Sequence, residues 1–214
     1  IKAVKGSYKK AKVAIIYDWE NNWALNDAQG FSNASKRYPQ TLQEHYRYFW
    51  NHDIAVEVIT SEADFSKYEL IIGPMMYLMT EDVMKRLSSY VKQGGTFVST
   101  YITGYVNEND LTYLGGWPQP LREMFGIKVT ETDTLYPKDR NVVHYADQSF
   151  EAKDYCSLFE LEGAEVLGTY TEDFYAGKPA ITRNKYGQGA AYFIGARTNL
   201  DFLEYFYGEL AKNK

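Results

Sequence analysis

The feature that most constrains the fold is a run of five apolar residues, Val13 to Tyr17 (VAIIY), stopped by Asp18. An uninterrupted run of that length reads as a strand buried on both faces, as in a parallel sheet, not as a strand with one wet side. Two further short apolar runs follow, Leu70 to Gly73 (LIIG) ahead of Pro74, and Thr96 to Thr100 (TFVST). Ala55 to Ile59 (AVEVI) alternates and supplies a fourth strand. Between these runs the period changes to that of helices. Thr41 to Trp50 places Leu42, Tyr46, Phe49 and Trp50 on one side, with Thr41 and Glu44 spaced as a capping box. Thr80 is placed to cap a second helix, with Glu81 and Asp82 in its first turn and Val83, Met84, Leu87 and Val91 as its buried stripe. Gly94-Gly95 ends it. The first hundred residues therefore read β-α-β-β-α-β, an α/β fold with a mostly parallel sheet and helices on both faces. Right-handed crossovers leave few topologies, of which a flavodoxin-like order is the simplest.

The second half is less periodic. A Gly-rich loop runs from Gly104 to Pro118, and Pro120 to Phe125 (PLREMF) makes a short helix closed by Gly126. Ile127 to Leu135, Glu165 to Tyr170, Ala180 to Arg183 and Ala190 to Ile194 are strand candidates of more antiparallel character, with turns at Ala176-Gly177 and Tyr186-Gly187. Leu200 to Lys212 closes the chain as a helix with Leu203, Phe206, Tyr207 and Leu210 on one face. Repeats, low-complexity tracts and linkers are not evident, so residues 1–214 read as a single domain. Ile1 to Lys12 is a polar lead without an initiator Met or a targeting pattern, which reads as the start of an excised fragment.

Composition narrows the function classes. With 45% hydrophobic and 24% charged residues the chain is an ordinary soluble globular type. A net charge of −5 argues against nucleic acid or an anionic membrane as partner. No apolar run nears the ~20 residues that span a bilayer. The single cysteine, Cys156, allows no internal disulfide and suits a cytoplasmic protein. Aromatics reach 16%, with 20 tyrosines, which suits carbohydrate surfaces and protein interfaces as well as a tyrosine-rich core.

In an open parallel sheet, sites form at the carboxyl ends of the strands. Two loops leave such ends: Asp18-Trp19-Glu20-Asn21-Asn22-Trp23, at the start of a polar, aromatic loop that runs from Trp19 to Arg37, and the stretch Thr103 to Asp110. If strands one and four are neighbours, both loops share one edge. Glu20 with Glu108 could then form the carboxylate pair of a glycosidase, or each acid could simply cap a turn. Trp19 and Trp23 are candidates for sugar or subunit contact. A thiol nucleophile would need a tight elbow after Thr96–Thr100, where Tyr101 stands instead, and Cys156 lies far downstream without an elbow signature. His45 and His52 are seven apart, not a metal spacing, and with His144 read as structural. Gly94-Gly95, Gly115-Gly116 and Gly187-Gln188-Gly189 match no phosphate-binding fingerprint.

Three segments carry a family resemblance: Val13 to Leu25 (VAIIYDWENNWAL), Gly94 to Asp110 (GGTFVSTYITGYVNEND) and Gly115 to Gly126 (GGWPQPLREMFG), joined by Gly189 to Gly195 (GAAYFIG) and the closing helix. Together they resemble the middle domain of glycoside hydrolase family 42 β-galactosidases. That resemblance implies a class I glutamine amidotransferase-like fold that has lost its cysteine. It implies no catalytic residue, metal or cofactor in this chain, a catalytic (β/α)8 barrel elsewhere in the parent protein, and a role in assembling a homotrimer around galactoside-hydrolysing sites that the domain edge can help wall. Trp19, Glu20, Asn22, Trp23, Tyr105, Glu108 and Trp117 are then the candidate substrate or subunit contacts. The competing reading is a standalone amidotransferase-like hydrolase or a carbohydrate-binding protein.

Overall fold

The structure is a computed structural model that describes residues 5–6, 9–119 and 121–212. Its parallel half follows the sequence closely. Strand β1 is Val13–Ile16, β2 Val56–Ile59, β3 Leu70–Gly73 and β4 Thr96–Thr100. Helix α3 (Tyr38–Asn51) connects β1 to β2, and α4 (Glu81–Lys92) connects β3 to β4. The Thr80 hydroxyl caps α4 by accepting from the Val83 amide at 3.2 Å. Two smaller helices occupy the stretch expected as a loop: α1 (Trp19–Asp27) and α2 (Asn33–Lys36). Helix α3 also starts earlier than expected. Its cap position is Arg37, in a left-handed conformation, and Thr41 lies inside the helix with its hydroxyl donating to the Arg37 carbonyl at 3.0 Å. The proposed Thr41–Glu44 capping box is therefore absent.

The second half contributes α5 (Arg122–Phe125), β5 (Ile127–Thr134), β6 (Asn141–Tyr145), β7 (Gln148–Leu161), β8 (Glu165–Tyr170), β9 (Pro179–Tyr186), β10 (Gly189–Ile194), β11 (Ala196–Thr198) and α6 (Leu200–Lys212). Pro120 of the expected short helix, and most of the polar lead before Lys12, lie outside the described residues. Strands β6 and β7 were not expected from sequence. The eleven strands among the described residues join one sheet in the order β11-β7-β6-β8-β9-β10-β4-β3-β1-β2, with β5 pairing β7. The neighbours β2, β1, β3, β4 and β10 are mutually parallel. Strand β3 thus separates β1 from β4, which are not neighbours.

Strand alternation explains the two cores. Val13, Ile15, Leu70, Ile72 and Val98 face one way and pack with Leu42 and Phe49 of α3 and Phe202, Phe206 and Leu210 of α6. Ala14, Ile16, Ile71 and Phe97 face the other way, against Val83, Met84, Leu87 and Val91 of α4 and Met124 and Phe125 of α5. A parallel strand sandwiched in this way must be apolar on both sides, which is why VAIIY and LIIG show no alternation.

The antiparallel strands do not extend the sheet as a flat layer. Strand β11 continues β10 through Gly195 and pairs with β7, while β10 pairs with β9. The path β10-β9-β8-β6-β7-β11 therefore returns to its start and closes a ring of strands. At the junction the Gly195 amide donates to Ala180 and its carbonyl accepts from Ser157, both at 2.8 Å. A Cβ there would come within 2.7 Å of Phe159 and 2.8 Å of the Ala180 carbonyl, so the closure needs glycine.

Candidate functional site

The parallel strands end together at one edge of the sheet, where an α/β fold normally opens a crevice for ligands. Past β4 and β10 that space is occupied by the chain's own side chains, while a cleft of about 360 Å³ stays open past β1, β2 and β3, beside Asp18, Ser61 and Met76. Arg197, on β11 just past the end of β10, is only 2% exposed. Its Nε donates to the Tyr101 hydroxyl at 2.7 Å, and Nη1 to Asp154 Oδ2 at 3.0 Å and to the Ser35 carbonyl. Nη2 donates to the Lys36 carbonyl at 2.6 Å and to Thr41 Oγ1 at 3.2 Å. The guanidinium lies 5.0 Å from the Tyr155 ring centre and 5.4 Å from that of Tyr101. Nearly every donor of the planar fork is thus used to tie α2, α3, β7 and Tyr101, the residue after β4, to β11, as a buried arginine requires. What remains open among Thr41, His45, Tyr101 and Arg197 is a void of about 10 Å³, too small for any substrate.

Beside it, His45 is buried, and its Nδ1 shares a 2.5 Å hydrogen bond with the Tyr207 hydroxyl. Burial, aided by the nearby Arg197 charge, pushes its pKa down to about 3, so the ring is neutral at physiological pH. Lys36 is buried too, and its ammonium caps the carbonyl end of α1 by donating to Leu25 at 2.5 Å and to Ala28. His52 contacts Glu204 at 3.2 Å, and His144 meets Ser149 at 3.4 Å.

The elbow position repeats this pattern. Tyr101, where a nucleophile would stand, is buried under Arg197. The next residue, Ile102, carries the left-handed backbone (φ 56°), a rare conformation for a β-branched side chain. Cys156 sits inside β7, fully buried, and burial pushes its thiol pKa up to about 12, which removes the thiolate a nucleophile needs.

Of the residues singled out from sequence, four lie on α1. Trp19, Glu20 and Trp23 are exposed, and Asn22 is half-buried. The residue between them, Asn21, holds the helix in place: its side chain donates to the Met75 carbonyl at 3.0 Å and accepts from the Leu78 amide at 2.9 Å. Glu20 lines a cleft with Asp18, Glu62 and Asp82, and Glu108 lies outside it. The two glutamates are not brought together as a pair lining one cleft. Glu108 is exposed in a turn organised by Asn107, whose side chain accepts from the amides of Asn109 and Leu111. Tyr105 points inward, stacked on Trp117 with ring centres 4.4 Å apart and its hydroxyl bonded to Thr132 at 2.7 Å. Among the described residues no three His, Cys, Asp or Glu side chains converge as a metal site would require, and no helix is long and apolar enough to cross a membrane.

Sequence reasoning missed Arg197 and Asn21. The available signal was position: a lone arginine directly after the apolar run of β10, and an asparagine one turn before Leu25 in an otherwise exposed segment.

A mixed sheet with helices on both faces, its antiparallel part closed into a ring, defines an α/β domain. The sequence model described as the β-galactosidase trimerisation domain matches residues 11–214, and the chain belongs to that family. It is 57% identical over 204 residues to β-galactosidase GanA of Bacillus subtilis, covering 95% of this chain and 30% of that protein. It is 47% identical to β-galactosidase Pbg of Clostridium perfringens, covering 98% and 31% of the two chains. The structure of a catalytic mutant of Gan42B, a GH42 β-galactosidase from G. stearothermophilus, matches with a TM-score of 0.97 at 57% identity, over 99% of this chain and 31% of that one. The chain thus spans about 30% of the length of such relatives.

Proposed function

We propose that residues 1–214 are a single, non-catalytic assembly domain of a family 42 β-galactosidase. The parent polypeptide hydrolyses terminal β-galactosides on a catalytic barrel, and this domain joins barrels into a homotrimer and supports the walls of the active sites. The observation that carries the reading is that Arg197 and its partners fill the space past β4 and β10, with Tyr101 buried where the nucleophile of an amidotransferase-like enzyme would stand. The strand order β2-β1-β3-β4-β10 supports a flavodoxin-like, class I amidotransferase-like fold, and the buried Cys156 with its raised pKa supports the loss of thiol chemistry. The exposed Trp19 and Trp23 support contact with a barrel or with a galactoside at the domain edge. A cytoplasmic setting belongs to the same reading and rests on a single, buried, unpaired cysteine.

The test is turnover of a nitrophenyl galactoside by the purified chain. No hydrolysis above that of a mock preparation is expected. Activity that follows the chain through successive purification steps would overturn the proposal.

A further inference from the structure

Asp154 joins the Arg197 cluster to an open cleft of about 570 Å³, lined by Arg37, by Leu135 to Pro137 and Arg140 from the segment between β5 and β6, and by Lys153 of β7. Small-molecule sites run to about 300–1,000 Å³. The three cations come from three separate stretches of chain. Arg140 is braced by Glu151 Oε1 at 3.2 Å and by the carbonyls of Pro137 and Asp139 at 3.0 and 2.7 Å. Arg37 reaches Asp154 Oδ2 at 3.4 Å. Arg197 holds the same oxygen from the interior at 3.0 Å, so the carboxylate is shared and offsets Arg37 only in part. Among the described residues no side chain bonds or pairs with the Lys153 ammonium. Both members of the Arg37–Asp154 pair have left-handed backbone, φ 44° and 59°. That conformation is costly outside glycine and gathers where a site needs a side chain held in one place.

Taken together, the four cations Arg37, Arg140, Lys153 and Arg197 exceed the two carboxylates Asp154 and Glu151 by two charges, in a chain whose net charge is −5. The cleft past β1, β2 and β3 is the reverse, with Asp18, Glu20, Glu62 and Asp82 against Arg86. We propose that the Arg37–Arg140–Lys153 cleft binds the phosphate group of a small molecule. Guanidinium forks match phosphate oxygens, an ammonium adds a point charge, and a phosphate near the dianion state matches the surplus. A concave floor with fixed cations suits a small ligand better than a flat protein face. At the rim Tyr136 is 78% exposed, beside Leu135 and Pro137. That ring gives a sugar-sized group esterified to the phosphate an apolar surface to lie on. The inference is independent of the assembly role proposed above.

The experiment is calorimetric titration of the 24.7 kDa chain, at constant ionic strength, with inorganic phosphate, glucose 6-phosphate and glucose. At least one of the two phosphates should bind with a Kd of about 1 mM or below, and glucose should not. Lys153→Gln and Arg140→Gln should each weaken that binding about tenfold, as loss of one charge-assisted hydrogen bond does. Lys185→Gln, at an exposed lysine on β9, should change nothing. The melting temperature of each variant without ligand should equal that of the wild type, which separates lost binding from lost folding. Tyr136→Ala identifies the source of the phosphate. A loss confined to the hexose ester assigns a sugar phosphate, and equal affinity of the wild type for both anions assigns free phosphate. Absence of binding of either anion at about 10 mM, or an affinity untouched by both Lys153→Gln and Arg140→Gln, or one lowered as much by Lys185→Gln, would overturn the inference.

Discussion

Two surfaces meet at the carboxyl edge of the parallel strands, and they are built in opposite ways. Around Arg197 the groups are partnered and mostly buried: the guanidinium, the Tyr101 phenol, the Asp154 carboxylate, which keeps some contact with water, and two backbone carbonyls share one hydrogen-bonded cluster. Around Trp19 and Trp23, large apolar rings face water, and among the described residues only Tyr17 makes a ring contact with them. Buried charge is kept only where its bonds are all made, because an orphaned partner costs more than the cluster gains. Exposed tryptophan contributes little to folding in the isolated chain, and so is better explained by contact with another molecule. The first surface is architecture, and the second is available for recognition.

The comparison breaks most decisively at Arg197. Replacing it by methionine keeps much of the volume but strands Asp154, Tyr101 and the carbonyls of Ser35 and Lys36. Denaturant unfolding should show a loss of about 3–5 kcal/mol, the cost of breaking a buried pair from one side. A loss below about 1 kcal/mol, in the range of an exposed pair, would mean that the cluster is wet and the crevice open to ligands.

A smaller contrast can be drawn inside α1, between neighbours. Asn21→Ala removes a buried hydrogen bond to Met75 and a part-buried one from Leu78, and should cost about 2–3 kcal/mol because a carbonyl and an amide are left unsatisfied. Asn22→Ala, at a half-buried position with neither bond, should stay within about 0.5 kcal/mol. Equal effects in urea titrations would show that α1 is anchored by its rings and not by Asn21, and would blur the division between scaffold and surface.

That helix also shows where the sequence stops being readable. The edges of β3, β4 and α6 follow from sequence because apolar burial alone sets them. Helix α1 buries only Asn21 and Leu25, and one of those is polar, so no apolar stripe announces it. Strand β7 fails differently. Phe150 and Ala152 are buried, then Tyr155, Ser157 and Phe159, so the period-two pattern changes phase midway. The cause is Asp154, held at φ 59° where the register with β11 shifts. A bulge of this kind erases alternation while the strand continues. The contact residues divide in the same manner. Trp19 and Trp23 lie at the surface as a recognition role would need, whereas Tyr105 turned inward because Trp117, distant in sequence, offers it a parallel ring. Arg197 owes its role to partners drawn from four separate segments, and only the folded chain brings those together.

Acid should sharpen the comparison with the smallest effect. His45 borders the sealed crevice, and its pKa falls from an ordinary value near 6.5 to about 3 on folding. Between those values the unfolded chain binds a proton that the folded chain does not. Stability therefore rises with pH across that window, is fully present above about pH 6.5, and is lost as the pH falls. The slope for one such group is roughly 1.4 kcal/mol per pH unit, so lowering the pH from 7.5 to 5 should cost about 2 kcal/mol through His45. His45→Gln, which can still bond the Tyr207 hydroxyl, should lose that part of the pH dependence in urea titrations at the two pH values. If both proteins lose the same stability on acidification, His45 titrates freely in the fold, and the crevice around Arg197 admits the water that its geometry otherwise excludes.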